Sequence, residues 1–146
     1  MPLFPPGQPA LMTYSPATPA PGAFGTITLP ANTHVSILLI TASLSTDAAV
    51  ANRRMILYPS MGLLNYEFPA SYTQVASQLA YYTWGPGLPH ANFGPPLTAG
   101  SIFCQAPLAD MIPANGTIDI IFRCAGIQPG DQIANLKVVV HEWIGT

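Results

Sequence analysis

Charge is what this chain has least of. Asp, Glu, Lys and Arg make up 7% of its 146 residues, against about 25% in an ordinary soluble domain. Neither Met1–Thr46 nor Phe68–Ala109 contains a single one. A folded monomer of this mass exposes roughly 7,000 Å², and so few charges cannot dress that surface in the usual way. Either lipid or other protein is expected to cover part of it.

Other absences narrow the choice. A membrane-spanning helix needs about 20 consecutive apolar residues, and the best stretch, Val35–Leu44, is interrupted by Ser36, Thr41 and Ser43. Seventeen prolines oppose long helices as well, because each interior proline removes a donor and clashes with the preceding turn. Met1–Gly25 has neither the basic start nor the continuous apolar core of a secretory signal, so the expectation is a chain made in the cytoplasm and not exported. With a net charge of −2 there is no basic field for nucleic acid. The expected partners are therefore proteins, not nucleic acid or membrane. Cys104 and Cys124 fit no metal-ligand spacing and are read as two buried thiols.

Residues 1–25 read as an extended arm stiffened by proline, yet Phe4, Leu11 and Tyr14 make it too apolar for a free linker. It is expected to lie along its own domain or a neighbouring subunit. Residues 26–146 read as one all-β domain. Strands are expected over Thr26–Leu29, His34–Ser45, Arg53–Pro59, Leu63–Phe68, Gln78–Trp84, Ser101–Gln105, Gly116–Arg123 and Asn135–Trp143, separated by turn residues at sandwich-like intervals. A short helix is expected within Ala70–Leu79.

An internal repeat adds to this. Aligned without gaps, Leu29–Leu57 and Ile112–Val140 share seven of 29 positions, among them Pro30/Pro113, Ile37/Ile120 and Asn52/Asn135. Each copy is a strand, a polar loop and a second strand. Neither can bury its apolar face alone, so the two are expected to pack together in a jelly-roll-like β-sandwich.

The chemistry-bearing residues are sparse. His34, His90 and His141 have no ligand spacing, and no nucleophile motif or phosphate-cradling glycine loop occurs. No cofactor, no metal and no enzymatic activity are expected. Asp47 and Asp131 sit in polar loops where aspartate commonly bonds nearby backbone. Arg53-Arg54 is too small a basic cluster for nucleic acid, and a buried or interfacial arginine paired with a carboxylate such as Asp47 is expected. Aromatics concentrate from Tyr66 to Phe93. They are read as core filling, as an interface through Tyr81, Tyr82 and Trp84, or as a sugar platform.

The segments TLPANTHVSILLITASLSTDAAVANRRMIL and IQPGDQIANLKVVVHEWIG together resemble a family of small virion structural proteins of tailed bacteriophages. The resemblance rests on Asp47, Asn52, Arg53, Arg54, Gly130, Asp131, Glu142 and Trp143, and covers residues 27–58 and 111–145. It implies a β-sandwich attached to the virion. With the shortage of charge, it points to a capsid decoration (cement) protein, a homotrimer bound to the major capsid protein on the head surface. Phe4, Leu11, Tyr14, Arg53, Arg54, Tyr81, Tyr82 and Trp84 are the expected interface residues. The alternatives are a tail, neck or fibre component that binds carbohydrate or a receptor, a jelly-roll coat, and a secreted carbohydrate-binding module.

Overall fold

The computed structural model describes residues 9–30, 34–61, 64–88, 91–93, 100–108 and 117–143. Its strands are β1 Ala10–Tyr14, β2 Gly25–Leu29, β3 His34–Ser45, β4 Arg54–Met61, β5 Leu64–Asn65, β6 Phe68–Pro69, β7 Leu79–Gly85, β8 Ala91–Phe93, β9 Gly100–Gln105, β10 Ile118–Ala125 and β11 Gln132–Trp143. They form two sheets packed face to face. Sheet A runs β1-β11-β3-β7-β9-β8, and sheet B runs β2-β10-β4-β5, with β6 also paired to β4. The chain is thus an all-β sandwich, and no helix occurs among the described residues.

Period-two alternation builds the core. In β10, Ile118, Ile120, Phe122 and Cys124 point inward while the residues between them are only half-buried. They meet Val35, Ile37, Ile40, Ala42 and Leu44 of β3, Val138 and Val140 of β11, and Tyr82 and Trp84 of β7. Trp84 of sheet A meets Phe122 of sheet B edge-on, with centroids 6.4 Å apart. Each large apolar side chain buried this way stabilises the fold by about 1.5–3 kcal/mol.

The internal repeat explains how the sheets are joined. The first copy supplies β3 and β4, the second β10 and β11. Each copy sends one strand to each sheet, so β3 pairs with β11 in sheet A and β4 with β10 in sheet B. Exchanging the copies maps one pairing onto the other, which is a pseudo-twofold arrangement. The pair Thr41↔Lys137 maps onto Arg54 opposite Cys124, a single residue from the observed Arg54↔Ala125. The two copies pack against each other, as the alignment implies.

Four expectations are revised. Ala70–Leu79 is not helical: Gln74 exchanges both backbone hydrogen bonds with Arg53, and the Ala70 N–H goes to the Met55 carbonyl, so these groups serve the β4 edge instead. Part of the proline-rich arm belongs to the sandwich, since Ala10–Tyr14 is the edge strand beside β11. Leu63–Phe68 divides into β5 and β6, and β8 had no sequence signal. The pairings are antiparallel except β7·β9, a parallel pair that a wholly antiparallel roll lacks.

Candidate interaction surfaces

Four connections meet at one end of the sandwich: residues 15–24, 46–53, 70–78 and 126–131. Arg53 holds this end together. Its Nε donates to Asp131 Oδ2 at 2.9 Å, and Nη2 to Asp131 Oδ1 at 3.1 Å and Asp47 Oδ1 at 2.6 Å. Nη1 donates to the carbonyls of Ala49 and Ala51 at 2.8 and 2.9 Å. A guanidinium has five N–H donors in a fixed fork, and each nitrogen is engaged. Arg53 and Asp131 side chains are both fully buried, where a charge is tolerated only when paired and hydrogen-bonded.

Around this ion pair the carboxylates also bind backbone. Asp131 accepts the N–H groups of Asp47 at 2.8 Å and Gln128 at 2.7 Å, and Asp47 accepts that of Ala49 at 3.0 Å. Burial alone would push the Asp131 carboxyl up, but the Arg53 hydrogen bond, the two backbone donors and the Arg53 charge hold it below the usual range. The Asp131 hydrogen bond raises the Arg53 guanidinium above its ordinary value, against the opposing effect of burial. Two glycines are required by close approach. A Cβ on Gly130 would lie 2.5 Å from Asp47 Oδ2, and one on Gly126, at φ +76, would lie 2.1 Å from the Asn52 carbonyl oxygen.

A second polar layer ties in the 70–78 connection. The Tyr82 hydroxyl donates to Gln74 Oε1 at 2.5 Å, and Gln74 Nε2 donates to the Leu44 carbonyl at 3.0 Å. Thr46 Oγ1 donates to the Val75 carbonyl at 2.6 Å. Residues 15–24 are attached through Gly22 N–H to the Asp131 carbonyl at 2.7 Å and Gln132 Nε2 to the Pro19 carbonyl at 2.7 Å. The charges of this end are turned inward, whereas Val50, Val75 and Phe24 are exposed.

The two sheet faces differ in charge. The outer face of sheet B carries Asp119, Arg123 and Arg54, with Glu67 beside them. Arg123 lies over the Tyr58 ring at 4.0 Å and 3.6 Å from Glu67, and Thr28 donates to Asp119 at 2.7 Å. The outer face of sheet A has Lys137 as its sole formal charge among the described residues, with His34 and His141. Around them lie Leu11, Thr13, Ser36, Leu39, Thr41, Tyr81, Thr83, Ser101, Phe103 and Val139. A β-bulge adds to its apolar content: Leu38 falls between the pairs Ile37↔Val140 and Leu39↔Val139, so two consecutive leucines face outward.

The expected interface residues separate into groups. Leu11 and Tyr81 are exposed on sheet A. Tyr14 turns to the inner side, where its hydroxyl donates to Glu142 Oε2 at 2.5 Å, and burial together with that carboxylate raises its pKa to about 12. Arg54 is exposed on sheet B and donates through Nε to the Ala70 carbonyl at 2.7 Å. Phe4 lies outside the described residues. Tyr82 and Trp84 are fully buried, which corrects their reading as interface residues; Arg53 is fully buried too, paired with Asp47 as the buried one of its two expected roles. Tyr82 and Trp84 stack at 5.5 Å because alternate residues of β7 face the core, leaving Tyr81 outward. Arg53 is enclosed by the loops that it binds.

Sequence reasoning missed Val50, which is 100% exposed. Its signal was a Val set among alanines in an otherwise polar loop. Cys104 and Cys124 are free and buried. Burial, followed by the nearby Asp131 carboxylate, pushes the Cys124 thiol to about 12. Compared with known proteins, the chain matches no family model, no curated protein and no solved structure.

Proposed function

We propose that the chain is a virion structural protein of a tailed bacteriophage. In this reading it is a decoration protein that binds the major capsid protein on the outside of the head as a homotrimer and reinforces the shell. The observation that carries this is the segregation of charge. Sheet A offers a broad outward face with Lys137 as its one formal charge among the described residues, while sheet B is charged in the manner of a solvated surface. An uncharged face of Leu, Val, Thr and Tyr suits a lasting protein interface, whose buried centre is depleted of charge. The jelly-roll character belongs to this proposal, and the strand exchange between the two repeat copies supports it.

The action proposed is binding rather than catalysis. Arg53, Asp47 and Asp131 are engaged with one another and with backbone, and Glu142 with Tyr14, so these carboxylates already serve the fold. A protein that binds the mature lattice and not the unassembled subunit stabilises that lattice by mass action. Contacts made at adjacent sites add to the effect through effective concentration. The tail or fibre alternative with sugar binding draws less support, because Tyr82 and Trp84 of its expected platform lie in the core.

The test is co-sedimentation of the purified protein with expanded heads that lack it. Saturable binding, with a raised temperature of head rupture, is expected. A folded protein that leaves the heads unbound would refute the reading.

A further inference from the structure

The sandwich carries a convex feature at its loop end and a concave one on the flank along β6. The convex feature is the 46–53 loop. The two carbonyls that Arg53 Nη1 holds, those of Ala49 and Ala51, bracket Val50, so the guanidinium fixes the backbone on both sides of a fully exposed side chain. Ala48 and Ala49 beside it are exposed as well. The loop is ordered before any partner arrives, which removes the ordering cost that a mobile loop incurs on binding.

The concave feature is a cleft of about 440 Å³ lined by the apolar Phe68 and Pro69 and by Arg54, Glu67, Ser71 and Gln105. It has room for a valine and its flanking alanines. Val50 does not occupy the cleft of its own chain, since it is 100% exposed and Arg53 fixes its loop. The local charges are complementary. Behind the knob, two aspartates outweigh one arginine by a single negative charge. Beside the cleft, Arg54 and Arg123 outweigh Glu67 by a single positive charge.

We propose that Val50 of one copy docks in the Phe68–Pro69 cleft of a second copy. The copies thereby associate head to tail, and the contacts close as a ring. This names the self-contact of the homotrimer in the proposed function and rests on that reading. A heterologous contact uses a different surface on each side, so the two surfaces can be disabled separately.

Sedimentation velocity of the full chain and of Val50→Lys and Ser71→Trp tests this, with thermal melting of each to show that it is folded. The wild type is expected to be trimeric and each variant monomeric, V50K because it brings a cation to a cleft already flanked by Arg54 and Arg123. Mixed in equal amounts, they are expected to form dimers and no trimer, because V50K keeps its cleft and S71W its knob. Val50→Ser, which adds no charge, is expected to weaken the trimer in the same direction. A monomeric wild type, a folded V50K or S71W that remains trimeric, or a mixture that stays monomeric would overturn the proposal. Head binding by a monomeric wild type would overturn the ring alone and leave the decoration reading standing.

Discussion

Replacing Arg53 by Met deletes the group that ties the 46–53 connection to the 126–131 connection. Met approximates the volume of the stem but supplies none of the N–H donors. Asp131, fully buried, then keeps only the backbone N–H groups of Asp47 and Gln128, and the carbonyls of Ala49 and Ala51 lose their shared donor. Removing one partner of a buried ion pair costs about 3–5 kcal/mol, because the remaining charge is uncompensated. At about 3–4 °C per kcal/mol for a domain of this size, the melting temperature falls by roughly 10–20 °C. Urea unfolding should show a lower midpoint with an unchanged slope, since the surface exposed on unfolding is the same. The double variant Arg53→Met/Asp131→Asn removes the stranded charge and keeps an acceptor for the backbone donors, so it should recover part of the loss. A loss below about 1 kcal/mol, the value of a solvent-exposed pair, would refute the view that Arg53 organises this end.

Further predictions concern pH and the edge strand. The Asp131 carboxyl is held below its ordinary value in the folded state, so its stabilisation is present above the unfolded pKa of about 3.9 and is lost as pH falls through the lower folded value. Asp131→Asn should flatten that acid limb in unfolding curves measured across this range. Tyr14 runs the other way: its folded pKa of about 12 exceeds the ordinary 10.0. Its contribution is therefore complete below pH 10 and lost as pH rises toward 12, and ultraviolet titration should show a tyrosine ionising near 12 that Tyr14→Phe removes, while Tyr82, which burial raises further still, ionises later in both proteins. That variant leaves the buried Glu142 without its hydroxyl donor and should cost about 1–3 kcal/mol in chemical denaturation. Deleting residues 1–14 removes the edge strand Ala10–Tyr14 together with the Tyr14–Glu142 hydrogen bond and should lower the melting temperature.

The strands were legible where alternation was strong. His34–Ser45 matches β3, and the ends of β10 and β11 fall close to their expected limits, because β-branched runs bounded by Asn, Gly and Pro have few other folds available. The repeat made the strand exchange legible too. Residues 70–79 misled, because their helical spacing says nothing of the Arg53 backbone that claims Gln74. The arm misled in part, since proline density signals an extended chain without saying which edge it joins.

For the surfaces, sequence identified Arg53 and its Asp47 partner, and the aspartates' bonds to nearby backbone. It did not reveal Asp131 as the second partner, a contact that spans 78 positions of the chain. The aromatic cluster was legible as a cluster but not by face, because a single step along β7 separates buried Tyr82 from exposed Tyr81. The neutral face of sheet A was legible only as a shortage of charge. Its location depends on which strands lie side by side, and the bulge at Leu38 cannot be read from alternation alone.

The central claim is that sheet A is the face that other protein covers. A cryo-EM reconstruction of the proposed virion tests it most directly. The account predicts density for the sandwich in many copies over the outside of the head, with Leu11, Leu39, Tyr81 and Val139 against neighbouring protein and Asp119 toward solvent. Sandwich density with sheet A facing solvent, or a virion whose head surface lacks it, would contradict the account.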